Sequence, residues 1–179
     1  LRAIVIGGRG KAFCAGGDLN WMRAMADYTW AQNKADADAL AEMLWTIHRC
    51  PVPVVGRVHG DCYAGGLGLA AVCDLLVAAE GVHFCLSEAK LGLLPATIGP
   101  YVVKAMGEQA ARRWFITAER FSATEAYRIG LLHEIVPGDE QLDERRAGAP
   151  GGARDRGDGA RARDHERCRE HPRRGGRWR

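Results

Sequence analysis

Glu88 is the residue whose type and surroundings best suit it to move a proton. It is the one acid in Phe84-Cys85-Leu86-Ser87-Glu88-Ala89-Lys90-Leu91-Gly92-Leu93-Leu94-Pro95. Burial among apolar neighbours raises a carboxyl's pKa and makes it a usable general acid near neutrality. A salt bridge to Lys90 or a turn cap would explain the same acid equally well. A second stretch, Ala12-Phe13-Cys14-Ala15-Gly16-Gly17-Asp18-Leu19, sets two glycines before a helix cap. Such a loop leaves backbone N–H groups free to face a ligand oxygen, with the positive end of the helix dipole behind them. A plain tight turn into a helix fits it as well. A third stretch runs Tyr63-Ala64-Gly65-Gly66-Leu67-Gly68-Leu69-Ala70-Ala71-Val72-Cys73-Asp74. Gly66 to Ala71 fits the dinucleotide fingerprint G-x-G-x-x-A, and Glu88 lies twenty residues beyond Gly68. That fingerprint wants its first glycine at a strand end, whereas seven residues separate Val58 from Gly66. His59, Asp61 and Asp74 are further polar candidates. Asp74, at a helix end, is expected to bond backbone. His59 and Asp61 lie in the loop before Gly65 and are expected to be structural. Trp21 and Met22 read as core or pocket wall.

The elements that would position these groups alternate in type. Ala3–Ile6 is a short apolar strand stopped by Gly7-Gly8. Asp18 can cap a helix starting near Leu19. Ala35–Arg49 is helical, with Leu40, Met43, Leu44 and Ile47 on one face, and Pro51 and Pro53 end it. Val54–Val58 is the next strand and His59–Ala64 a loop. Gly65–Cys73 is a buried helix of small residues. Leu75–Ala79 and His83–Leu86 are strands. Helix follows from Pro95 to Met106, from Gln109 to Thr117, and from Ala123 to Ile129, the last capped by Ser122 or Thr124. Leu131–Val136 is the last strand. Strands alternating with helices imply an α/β fold with buried, mostly parallel strands. No internal sequence repeat of useful length is visible.

The 179 residues suit one domain with a real core. Charge divides the chain in two. Through Glu144 there are 13 Lys plus Arg against 17 Asp plus Glu, a net of −4; residues 145–179 hold 12 Arg, no Lys and 5 acids, a net of +7. The basic balance therefore belongs to the tail, and the core at 1–140 is not marked as a nucleic-acid or membrane binder. After Leu142 the chain has no Leu, Ile, Val, Met or Phe. Such a segment cannot bury enough apolar surface to offset its ordering entropy. Residues 141–179 are expected to be an Arg/Gly-rich disordered tail or the product of a shifted reading frame; a nucleic-acid arm is the rival reading. The six cysteines contain no C-x-x-C pair, and five lie beside apolar residues, which fits a reduced, cytoplasmic protein. His165, Cys168 and His171 could be imagined as ligands, but no metal is expected. No stretch approaches the ~20 apolar residues of a membrane helix. The chain opens at Leu1 inside a strand, so the natural N-terminus is expected to lie upstream.

Taken together, AFCAGGDL, VHGDCYAGGLGLAAVCDLLVA, FCLSEAKLGLLP and RFSATEAYRIGLLHEIV, in this order and at these separations, resemble the crotonase (enoyl-CoA hydratase/isomerase) family from about Ala3 to Val136. The resemblance implies a spiral of ββα units, here incomplete at both ends, and assembly as trimers or dimers of trimers. It implies an oxyanion hole of two backbone N–H groups, Gly17 and Gly65. Ala15, Gly16, Asp18, Leu19 and Gly66 would bind the acyl-CoA. Gly68 stands where two-carboxylate hydratases of the family carry a Glu; their second Glu is matched by Glu88. AGGLGLAAVCD with LSEAKLGLLPATIGPYVVKAMG is most similar to bacterial hydratases of methylglutaconyl-type CoA esters. The expected function is hydration of a branched 2-enoyl-CoA, 3-methylglutaconyl-CoA in leucine breakdown, with CoA entering as part of the substrate and no cofactor. An enoyl-CoA isomerase or general hydratase using one Glu, a non-catalytic acyl-CoA-binding relative, and a dinucleotide oxidoreductase are the alternatives.

Overall fold

The first six strands come in pairs along the chain, and the two members of each pair enter different sheets. The computed structural model describes residues 1–138; the expectations for 141–179, including His165, Cys168 and His171, lie outside the described residues. β1 (Ile4–Gly7), β3 (Val54–Val58), β5 (Leu75–Ala79) and β8 (Glu134–Val136) form one sheet in that order, all parallel. β2 (Ala12–Cys14), β4 (Asp61–Tyr63), β6 (His83–Cys85) and β7 (Phe121–Ser122) form the other, parallel except for β6 with β7. In each of the three pairs the second strand follows the first within a few residues and a helix comes after it, giving successive ββα turns of a spiral, whereas a helix separates β7 from β8. The central strands β3 and β5 are buried along nearly their whole length, whereas the edge strand β1 is only half-buried. Strands covered on both faces favour the continuous Val/Leu runs seen here.

The helices follow local chemistry. Asp18 caps α1 (Leu19–Ala24), its side chain accepting the Asn20 N–H at 2.7 Å. α2 (Trp30–His48) starts earlier than its apolar pattern suggests, because Thr29 and Gln32 form a capping box. Leu44 is buried and Leu40 and Ile47 pack on the core, but Met43 is exposed, so the apolar face is narrower than expected. α3 (Gly65–Ala71), α4 (Gly99–Met106), α5 (Glu108–Thr117) and α6 (Ala123–Arg128) follow, with a 3-10 turn at Ser87–Leu91; Ser122 caps α6 by accepting the Glu125 N–H. Phe84, Phe121 and Trp114 stack in the core, with ring centroids 5.6 and 4.5 Å apart.

Candidate active site

β2, β4 and β6 are consecutive neighbours in one parallel stretch of sheet. The three motif segments leave their carboxyl ends, the edge where parallel α/β sheets place ligands. Gly16 and Gly17 follow β2, Ala64 and Gly65 follow β4, and the turn holding Glu88 follows β6.

Direct contacts tie the first two segments together. A Cβ at Gly16 would lie 3.2 Å from the Ala64 Cβ, and one at Gly66 would lie 2.8 Å from the Cys14 Cβ. The Ala64 N–H donates to the Cys85 carbonyl at 2.8 Å, joining the second segment to the third. Gly16 has φ +104, which a side chain would strain. Ala64 has φ 48 and ψ −122, a conformation costly for any residue with a Cβ. Its two hydrogen bonds, to Cys85 and from the Leu67 N–H, hold it there and set the direction of the next peptide group, which carries the Gly65 N–H.

Among the described residues, neither the Gly17 nor the Gly65 N–H donates to a protein acceptor. A Cβ at Gly65 would meet no protein atom within 4 Å, so packing does not demand glycine there. At Gly17 it would meet Trp21 and Met22 at 3.6 Å, which makes those two side chains the wall behind the loop. Gly66 differs from its neighbour. It is buried, and Cys14 occupies its Cα face, so its glycine has a packing reason. Ala15, Gly17, Asp18 and Leu19 are exposed in sequence along the surface leading away from the loop.

Glu88 is half-buried, and its Oε2 is buried with no hydrogen-bond partner. Burial pushes its carboxyl up from the ordinary value, opposed by a backbone hydrogen bond. No ion pair to Lys90 forms. The rival acids are engaged elsewhere. Asp61 accepts the Tyr63 hydroxyl and the His83 N–H, and burial together with Asp61 pushes Tyr63 up to about 12. Asp74 accepts the Val54 N–H at 2.9 Å and returns its own N–H to Val54, pinning the start of β3. His59 Nε2 lies 2.9 Å from the Gly10 carbonyl, against the neighbouring loop. Cys14 and Ala64 lie inside the quoted motifs, but nothing in the sequence marks their packing against Gly66 and Gly16. Their roles rest on contacts between distant segments.

The enoyl-CoA hydratase/isomerase family profile matches residues 1–150. The chain belongs to this family. It is similar to a crystal structure from Legionella pneumophila assigned as an enoyl-CoA hydratase/isomerase (crotonase), at 45% identity and TM-score 0.79 over 82% of this chain and 56% of that one. It is also similar to an enoyl-CoA hydratase structure from Shewanella pealeana, at 44% identity and TM-score 0.76 over 80% of this chain and 53% of that one. The enoyl-CoA hydratase ACTT6 of Alternaria alternata is 35% identical over 80% of this chain and 46% of its own length. The chain thus spans about half the length of the relatives it matches. The paired-strand spiral is the fold of this family. Among the described residues no helix is long and apolar enough to cross a membrane, and no cluster of three potential metal ligands occurs.

Proposed function

We propose that this chain carries the thioester-binding and proton-transfer part of an enzyme that hydrates 2-enoyl-CoA esters. The observation that carries the reading is the meeting of three segments at one sheet edge: two backbone N–H groups without protein acceptors, and one buried carboxyl oxygen without a partner. Addition of water to an enoyl thioester forms a C–O bond at the β-carbon and leaves negative charge on the thioester oxygen. The Gly17 and Gly65 N–H groups donate hydrogen bonds to that oxygen and stabilise its charge without reorganising solvent. Glu88, whose carboxyl burial pushes up from its ordinary value, handles the proton at the α-carbon or positions the water; the proton that the attacking water sheds passes to its carboxylate and on to the α-carbon. Ala15, Gly16, Asp18 and Leu19 carry the CoA moiety along the exposed rim. CoA belongs to the substrate, and the steps use no metal or nicotinamide.

The substrate is proposed to be branched, 3-methylglutaconyl-CoA of leucine breakdown being the preferred member. The similarity of the Gly65 and Glu88 segments to that subgroup, and the glycine at position 68, support this. A homotrimer or dimer of trimers in the cytoplasm is proposed for the full-length protein. The isomerase reading is favoured by one observation: among the described residues Glu88 is the one acid with a buried, unpartnered carboxyl oxygen, and one carboxylate suffices to shuttle a proton between carbons. A panel of straight and branched enoyl-CoA esters, assayed with the full-length protein, separates these readings. Hydroxyacyl-CoA product from a branched ester supports hydration. A shifted double bond without water uptake supports isomerisation. Ester binding without turnover contradicts both.

A further inference from the structure

α3 is gripped on opposite faces by contacts that leave no space for a side chain. Gly66 meets Cys14, as described, and a Cβ at Gly68 would lie 2.3 Å from the Ile98 Cγ2 and 2.8 Å from its Cβ. Ile98 is 3% exposed and sits at the start of α4, which packs on α3. Its Cβ is placed by the backbone, and its branched side chain is stiff at χ1. The backbone is also fixed. The Ile98 carbonyl accepts the Tyr101 and Val102 N–H groups, both at 3.1 Å, and the Pro95 carbonyl accepts the Gly99 N–H at 2.8 Å. Ile98 cannot swing away without undoing the first turn of α4.

Gly68 stands one helical turn beyond Gly65, on the same side of α3. That side is open at Gly65 and closed by Ile98 at Gly68. Resting on the hydratase reading above, we propose that Ile98 is the specificity-determining residue of the site: it fills the space a side chain at position 68 would need, and gives the acyl group a hydrocarbon floor. Water does not compete for such a floor, so it rewards a carbon substituent on the acyl chain. A single methylene in an apolar pocket is worth ~10–200-fold in kcat/KM. The substrate class is an enoyl-CoA thioester with a carbon branch, and Glu88 works without a second acid from α3.

The test uses the full-length protein with 2-butenoyl-CoA and 3-methyl-2-butenoyl-CoA as straight and branched probes. Ile98→Gly should lower the branched-to-straight ratio of kcat/KM by about tenfold or more, and Ile98→Ala should move it in the same direction if the glycine variant fails to fold. Gly68→Ala should lower Tm in the native background and much less in the Ile98→Gly background, a readout independent of activity. An unchanged ratio in a folded Ile98 variant overturns the proposal, as does the same Gly68→Ala shift in both backgrounds. If the native protein turns over neither of these esters nor 3-methylglutaconyl-CoA, the hydratase reading fails and takes the role of Ile98 with it. Turnover of both with an unchanged ratio fails Ile98 alone.

Discussion

Gly65→Pro removes a backbone donor. Gly65 opens α3, a position where a helix tolerates proline because its N–H has no intrahelical partner. That N–H has no protein acceptor, so no protein hydrogen bond is lost. A Cβ there meets nothing within 4 Å, so ring atoms beginning at Cβ start from open space. The structural cost is concentrated at Ala64, because proline pushes the residue before it toward extended backbone while Ala64 holds φ 48 and ψ −122; in a variant that keeps its fold, the remaining loss falls on chemistry. Losing one donor to a developing oxyanion costs ~10²–10³ in turnover, or about 2.7–4 kcal/mol. Gly65→Ala is the control, because it keeps the N–H and adds only a methyl group. Initial rates on an enoyl-CoA ester should fall by ~10²–10³ for Gly65→Pro and distinctly less for Gly65→Ala, with far-ultraviolet circular dichroism unchanged. A folded proline variant retaining more than about a tenth of the rate would contradict this magnitude. Equal losses in both variants would show that the loop's shape matters and not the donor.

Gly66→Ala should behave oppositely to its neighbour. Its Cβ would lie 2.9 Å from the Cys14 carbonyl oxygen, a backbone atom that cannot yield cheaply, and overpacking of this kind costs ~1–3 kcal/mol. Thermal unfolding should show Tm lower by roughly 2–12 °C, and an unchanged Tm would refute the packing role. The pH dependence of stability reports on Glu88. Its folded-state pKa is raised above the ordinary 4.5, so its contribution to stability is present below that value and is lost as pH rises through the raised one. Glu88→Gln should gain Tm over the native protein as pH climbs from 4.5. A constant difference across that range would mean that burial does not perturb the carboxyl.

Much of this arrangement was legible in the chain's residues. The Val- and Leu-rich runs marked β3 and β5 because strands covered on both faces carry continuous apolar sequence. Asp18 and Ser122 marked helix starts through their capping oxygens. β6 was read as well, at His83–Leu86, but the other strands of its sheet were harder to see. β2 and β4 are three residues each, inside segments that read as glycine loops, and β7 has two. Strands this short have too few residues to show a period. The ββα repeat is also invisible as a sequence repeat, because β1, β3 and β5 begin at residues 4, 54 and 75. What recurs is a strand's place in a sheet, at irregular spacing. Gly68 was legible as a departure from the two-acid pattern. Its physical reason, Ile98, lies thirty residues away and depends on how α4 meets α3.

The central claim is that Glu88 moves the proton while the backbone donors hold the thioester. Turnover of a branched enoyl-CoA by Glu88→Gln, followed through loss of the enoyl absorbance and paired with calorimetric binding of the same ester, tests it most directly. The amide keeps the side chain's shape and its capacity for hydrogen bonds but cannot titrate. General acid–base catalysis contributes ~10²–10⁴-fold, so turnover should fall by that order while ester affinity stays within a few-fold. Full turnover by a folded Glu88→Gln protein would contradict the account, and so would loss of binding along with activity, which would make Glu88 a structural residue.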